Sequence, residues 1–171
     1  MNQEEYIPKT QVINDSNQRD EKYLTFSLDK EEYGIGILKV REIIGMMPVT
    51  NVPQTPSYFK GVINLRGKVI PVIDLRLKFG MESSEYTERT CIIVVEILEM
   101  TRKVLIGSVV DSVSEVLSIK SNEIEEAPNF GTSLDADYIL GMAKVGNGLK
   151  ILLDIDKVIS VGESGILECA A

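Results

Sequence analysis

From Lys22 onward apolar and polar residues alternate in short phrases. Tyr23–Leu28 reads as a strand, Asp29–Glu32 as a charged turn, and Tyr33–Ile37 as a second strand. The phrase returns at Cys91–Leu98, breaks at Glu99–Lys103 and resumes over Val104–Val110. Val69–Leu75 and Leu149–Ile155 are further runs rich in β-branched residues. Helical signals are scarce: a short turn around Ser57–Lys60 after Pro56, and a terminal helix from Asp156 towards Val161, closed by Gly162. Val40, Ile43, Ile44 and Met47 have helical spacing, but β-branched composition and the following Gly45 and Pro48 favour a strand. Pro71 inside a strand-like run predicts an edge or a bulge there, with a docking edge near the surface.

The phrases form two copies of one unit. Gly34 is matched by Gly107, and Val40-Arg41-Glu42-Ile43-Ile44 by Val113-Ser114-Glu115-Val116-Leu117, both at an offset of 73. Val52-Pro53 is echoed by Ala127-Pro128 at 75, and Tyr58, Gly61 and Asp74 by Tyr138, Gly141 and Asp154 at 80. An offset that grows as loops lengthen is the mark of an internal duplication. Each copy offers four or five short strands, too few for a stable open sheet, so closure into a barrel and packing against its twin are expected. The expected organisation is a mobile tail at 1–21, a first β-barrel at 22–84, a second at 85–162 and a C-terminal tail at 163–171. Exchange of strands between the barrels is left open.

Composition narrows the function. With 44% hydrophobic residues among 171, a core can be buried. A formal net charge of −8 opposes binding to nucleic acid or to an anionic membrane. No apolar run is long enough to span a bilayer, and the polar N-terminus lacks the apolar centre of a secretion signal. Two cysteines, Cys91 and Cys169, have no framework spacing and suit a reducing cytosol. Histidine is absent, which removes the usual general base and the commonest zinc ligand.

The remaining chemistry is thin. Asp74, Asp111, Asp154 and Asp156 could be imagined as a metal or acid–base cluster, but Asp74 and Asp154 are repeat equivalents at strand ends, where carboxylates cap turns or helices. Cys91 has no base partner and opens an apolar strand, so an inert core role is expected. The glycines from Gly61 to Gly67 lack the spacing of a phosphate loop. Arg66, on a hairpin turn of an acidic chain, stands where the second copy has Gly146, so the duplication alone does not require it. It reads equally as a solvated turn charge or as a recognition arginine. No catalytic residue, metal site or cofactor is expected.

Several phrases together resemble a known family. Glu32-Tyr33-Gly34-Ile35, Val40-Arg41-Glu42-Ile43, Gly61-Val62-Ile63-Asn64-Leu65-Arg66-Gly67 and Ile70-Pro71-Val72-Ile73-Asp74-Leu75-Arg76 are similar to the bacterial chemotaxis coupling proteins of the CheW family. Asp111-Ser112-Val113-Ser114-Glu115-Val116-Leu117 and Tyr138-Ile139-Leu140-Gly141 fit the same pattern, and the match runs from Lys22 to about Ser160. The resemblance implies an all-β fold of two five-stranded barrels of Src-homology-3 type on a shared core, with little helix. It also implies a non-enzymatic, cytoplasmic adaptor, recruited to membrane receptor arrays. Its partners would be the regulatory domain of the histidine kinase CheA and the cytoplasmic tips of methyl-accepting chemoreceptors, with no nucleic acid and no membrane insertion. By motif position, Val40, Glu42 and Arg66 would face the receptor and Phe130 the kinase. The family often has a basic residue near position 125, where this chain has Glu125 and Glu126, so that contact would be rewired. The alternatives are the same adaptor in a non-flagellar chemosensory pathway, and a small carboxylate or metal-dependent enzyme. A fused receiver domain, as in CheV-like relatives, is not expected, because the chain ends near Ala171.

Overall fold

In the computed structural model, residues 20–126 and 136–160 are described. The expected tails up to residue 19 and from 163 onward, Ala127-Pro128, Phe130, Val161 and Gly162 lie outside them, whereas Asp20 and Glu21, expected in the first tail, begin a strand by pairing with Lys120 and Ile119. The first copy runs β1 (Asp20–Leu28), β2 (Glu31–Gly36), a 3-10 turn at Ile37–Lys39, β3 (Val40–Gly45), β4 (Phe59–Leu65), β5 (Lys68–Asp74) and α1 (Leu75–Lys78). The second runs β6 (Cys91–Glu99), β7 (Arg102–Val110), β8 (Ser112–Lys120), β9 (Ile124–Glu125), β10 (Ile139–Val145), β11 (Gly148–Leu153) and α2 (Ile155–Ser160). The segment after Val40 is a strand, as its β-branched residues favour. The expected turn near Ser57 is a single bend closed by the Phe59 N–H on Pro56 O at 3.0 Å.

Two sheets form, in the orders β8-β1-β2-β11-β10-β9 and β3-β6-β7-β5-β4. Each draws strands from both copies. The β1–β2 hairpin pairs with β8 and, in parallel, with β11; the β6–β7 hairpin pairs with β3 and, in parallel, with β5. The five-stranded sheet closes on itself because Thr50, beyond β3, exchanges two backbone hydrogen bonds with Val62 of β4, at 2.8 and 2.9 Å. In the other sheet β9, reached from β8 through one 3-10 turn at Ser121–Glu123, pairs with β10 in the same way. Closure requires a close backbone approach. A Cβ on Gly61 would stand 2.0 Å from Thr50 O, and one on Gly141 2.8 Å from Glu125 O.

Alternation along β1 and β6 sorts the core into three parts. Ile92 and Val94 point into the first barrel with Ile63, Ile70, Val72 and Val109. Tyr23 enters the second barrel with Ile119, Ala143 and Leu152. The largest part lies between the barrels, where Leu24, Phe26 and Leu28 meet Ile93, Val95 and Ile97. Strands buried on both faces read as continuous apolar runs rather than alternating ones, which explains Ile92-Ile93-Val94-Val95.

The duplication is visible in bonding detail. The N–H of Asp74 donates to Tyr58 O at 2.7 Å, and that of Asp154 to Tyr138 O at 2.8 Å. Register shifts fall between Phe59 and Gly61 and between Ile139 and Gly141. Of the Pro71 expectation the edge fails, since β5 is an inner strand flanked by β4 and β7, while a bulge does lie one rung away, where the β4–β5 register shifts between Phe59 and Gly61. The parallel ladder of β5 with β7 starts only at Val72, one residue past the proline, so Pro71 is tolerated without an edge. No docking edge exists there.

Candidate protein-docking face

The four aspartates singled out from sequence are engaged by the protein's own donors. Asp74 is buried and its Oδ1 caps α1 through Arg76 N–H at 2.9 Å, while Tyr86 O–H donates to its Oδ2 at 3.1 Å. Asp154 accepts from the Lys157 N–H at 3.3 Å. Asp111 and Asp156 are paired with Arg76 and Lys39, each at 2.6 Å. Cys91 is half-buried against the inter-barrel core, and its thiol donates to Arg89 O at 3.2 Å.

Glu42 and Arg66 are brought together by two elements, while Val40 lies on the other side of β3. A register shift between Val40 and Glu42 bends β3 against β6, so Val40, opposite Val95, packs on the inter-barrel core while Glu42 stands opposite Val94 of the first barrel. Arg66 tops the two-residue turn between β4 and β5. That turn needs left-handed backbone at both positions, with φ of 50° at Arg66 and 88° at Gly67. Asn64 Oδ1 fixes the turn by accepting from the Gly67 N–H at 2.8 Å. From there Arg66 Nη2 pairs with Glu42 Oε1 across the sheet mouth, with the arginine side chain still 70% exposed. The neighbouring Arg41 pairs with Glu96 and, through that hydrogen bond first, holds the Glu96 carboxyl below its ordinary range. Phe130 lies outside the described residues, and Glu125, at the barrel-closing strand, pairs with Lys144 at 2.9 Å.

Sequence reasoning missed two residues of this face. Ile43 stands opposite Ile93, and Val116 opposite Leu24, both members of the inter-barrel core. Yet Ile43 is 43% and Val116 49% exposed, so the shared core continues to the surface along β3 and β8. The signal was present in the repeat, where Ile43 and Val116 match at the offset of 73. What the repeat could not show is that their side chains emerge from the core instead of ending in it. Exposed apolar side chains of this kind, on strands of both copies, are the chemistry of a protein-docking surface.

Known proteins resemble this chain in sequence and in fold. A model of the CheW-like domain matches residues 22–163. The chemotaxis protein CheW of Klebsiella aerogenes is 43% identical over 151 residues, covering 88% of this chain and 89% of the relative. That of Bacillus subtilis is 36% identical, covering 81% and 86%. The crystal structure of the scaffolding protein TtCheW from Thermoanaerobacter tengcongensis superposes with a TM-score of 0.75 at 36% identity, covering 85% of this chain and 96% of that one. With two barrels exchanging hairpins, a matching family model over nearly the whole described region and relatives of full length, the chain belongs to the CheW-like family of chemotaxis scaffolds.

Proposed function

We propose that this chain couples the cytoplasmic tips of chemoreceptors to a CheA-type histidine kinase, acting in the cytoplasm as an adaptor with no chemistry of its own. Val40, Glu42 and Arg66 meet the receptor, joined by Ile43 and Val116, and Phe130 meets the regulatory domain of the kinase. A receptor tip is a helical hairpin, and one helix fits a groove with apolar walls, in the mode by which amphipathic helices bind grooves. The Glu42–Arg66 pair fixes register and rejects partners of the wrong charge.

The observation that carries this reading is Arg66 itself. A residue other than glycine in left-handed backbone costs about 1 kcal/mol, and the second copy opens its turn with Gly146 at φ 59°. The fold therefore has a cheaper solution, and the arginine is retained at the groove rim in spite of it. Parallel titrations of Arg66→Ala against a receptor cytoplasmic fragment and against the kinase regulatory domain test the assignment. Receptor affinity should fall by more than about 1 kcal/mol, with kinase affinity and melting midpoint near wild type. Equal losses for both partners would make Arg66 structural.

A further inference from the structure

The mouths of the two barrels differ in charge. On β6, Ile92 and Val94 face the core of the first barrel while Ile93, Val95 and Ile97 face the inter-barrel core, so Glu96 stands on the first-barrel side. Its partner across the β6–β7 ladder is Leu105, and Lys103 lies two residues before Leu105 on the same side. On β5, Ile70 and Val72 face the same core, which puts Lys68 on that side as well. β5 and β7 run parallel with Val72 beside Gly107, and Lys68 and Lys103 each precede that rung by four residues. Both lysines therefore stand at one end of the first barrel, where Arg66 tops the β4–β5 turn. Leu65 and Leu105, half-buried on the barrel core, floor this mouth.

Four cations ring that floor against two acids. Arg66 is paired with Glu42 and Arg41 with Glu96, yet the two arginine side chains remain 70% and 51% exposed. Lys103 adds to the field at Glu96, whose carboxyl is held below its ordinary range by the Arg41 hydrogen bond first. Lys68 and Lys103 are exposed, and neither has an ion-pair partner among the described residues. Lys39, also near Glu96, is taken up by Asp156 at 2.6 Å. The mouth thus carries two positive charges in excess, on a chain whose net charge is −8. At the second mouth the repeat positions of Arg41, Arg66 and Lys68 hold Ser114, Gly146 and Gly148, while Glu42 keeps its acid as Glu115. The barrel therefore closes without a cation at any of these three positions.

We infer that Arg41, Arg66, Lys68 and Lys103 form a cationic rim that receives carboxylate side chains of the receptor hairpin tip. This rests on the receptor reading above, with which it shares Glu42 and Arg66, and it assigns the chemistry of the segment bound there. Glu42 and Glu96 neutralise two of the cations in the free protein, and the two lysines stay open for carboxylates of the partner. An apolar floor inside a charged rim matches a protein segment that carries both kinds of side chain. Nucleic acid, an anionic bilayer or a second copy would meet the rest of this chain, at −8, against its own sign. Charges on such a rim govern the rate of association and its dependence on salt.

The test titrates a purified chemoreceptor cytoplasmic fragment that includes the hairpin tip against wild type, Lys68→Gln/Lys103→Gln, Arg66→Ala and Lys22→Gln/Lys30→Gln. The last pair lies on the β1–β2 hairpin of the other sheet and makes the same change in net charge. Lys68→Gln/Lys103→Gln should raise the Kd about fivefold at low salt. The difference should close at about 1 M salt, where the screening length is about 3 Å. The melting midpoint should stay at the wild-type value, since both side chains are exposed and unpaired, and the control pair should bind as wild type does. Wild-type affinity in Lys68→Gln/Lys103→Gln, with binding lost in Arg66→Ala, would overturn the rim and leave the receptor reading standing. Wild-type affinity in both would overturn the two together. A loss that persists at high salt, or an equal loss in the control pair, would overturn the rim alone, because local charge would not be its cause. Sedimentation of wild type, but not of Lys68→Gln/Lys103→Gln, with phosphatidylglycerol vesicles would overturn it too, by assigning the rim to lipid headgroups. A matching loss towards the kinase regulatory domain would overturn the inference, because the rim would then not be a receptor contact.

Discussion

Set side by side, the two barrels agree wherever the backbone must close and differ wherever a side chain reaches out. Tyr58 and Tyr138 offer their carbonyls to Asp74 and Asp154, Gly61 and Gly141 let the closing strand approach, and the two aspartates cap α1 and α2. The equivalent turns at Arg66-Gly67 and Gly146-Asn147 both open in left-handed backbone but differ in their second residue and in reach. Glu42 and Glu115 are also equivalents, yet only the first faces a cation delivered by the opposite turn. A duplicated gene product preserves what each barrel needs in both copies, so the departures mark what only one copy has been asked to do.

The sharpest way to break the comparison is to separate the copies. In a fragment of residues 20–84, the β1–β2 hairpin loses both its partners, β8 and β11, and β3 and β5 lose β6 and β7. The inter-barrel core, built from both copies, would be exposed. Such a fragment should show no cooperative thermal transition by circular dichroism. A cooperative transition from it would mean that the copies are independent after all.

Next in size is closure of each barrel. Gly61 has φ 140°, and an added Cβ would lie 2.0 Å from the backbone oxygen of Thr50. Backbone that is itself hydrogen-bonded to Val62 cannot give way, so Gly61→Ala should cost roughly 3 kcal/mol or more. At Gly141 the nearest atom is Ile124 Cγ2 at 2.5 Å, the end of a side chain, although Glu125 O follows at 2.8 Å. Gly141→Ala should cost less, about 1–3 kcal/mol. Denaturant melts of the two variants settle the order. A larger loss at Gly141 would show that the second barrel is the less adaptable.

The strands were legible in the sequence because their spacing of two survives in residues with one buried face, as in β4. The continuous run in β6 was also legible, since β-branched residues buried on both faces still favour a strand. Which hairpin pairs with which strand was not legible. The parallel rung between Tyr33 and Ile151 joins residues more than a hundred positions apart, and no local pattern encodes that choice. Pro71 misled because an inner strand can accept a proline where its neighbour has not yet engaged. The helix α1, four residues long, is too short to show a period and exists because Asp74 caps it. At the candidate site, Glu42 and Arg66 could be named from motif position, but their pairing depends on a bulge and a turn that fold them together.

A smaller effect compares hydrogen-bonded phenols on the two barrels. The Tyr23 hydroxyl, in the core of the second barrel, is pushed up from 10.0 to about 12, by burial first and then by the charge and hydrogen bond of Glu21. Tyr86, beside the first barrel, is pushed up too, by burial and then by Asp74. A raised phenol means that the folded state holds its proton more tightly than the unfolded chain. The stability this supplies is complete below about pH 10, the unfolded value, and drains away as pH rises towards about 12. Melting midpoints of wild type should therefore fall over that window, and Tyr23→Phe, which has no proton to lose, should fall less steeply. An unchanged slope in Tyr23→Phe would place the alkaline sensitivity elsewhere. Tyr86→Phe should also lower stability at neutral pH by about 1 kcal/mol, from the lost hydrogen bond to the buried Asp74.

The smallest expected change in stability is also the most informative about function: writing the second copy's residue into the first, as Arg66→Gly. Glycine adopts φ 50° without strain, which returns up to about 1 kcal/mol. Against this stands the loss of the ion pair with Glu42, whose arginine is mostly in water, and such pairs contribute between about 0 and 1 kcal/mol. The unfolded chain also gains freedom from the new glycine, worth about 0.5–1 kcal/mol in the opposite sense. The three terms nearly cancel, so the melting midpoint should move little in either direction. Binding has no such cancellation, because no other side chain of the turn can reach the rim that Arg66 reaches. Affinity for a receptor fragment should drop as it does in Arg66→Ala, and restoring a cation as Arg66→Lys should recover only part of it, since an ammonium lacks the planar fork of the guanidinium. If Arg66→Gly binds the receptor fragment as wild type does, the difference between the two turns is an accident of drift and the groove is read by its apolar walls alone.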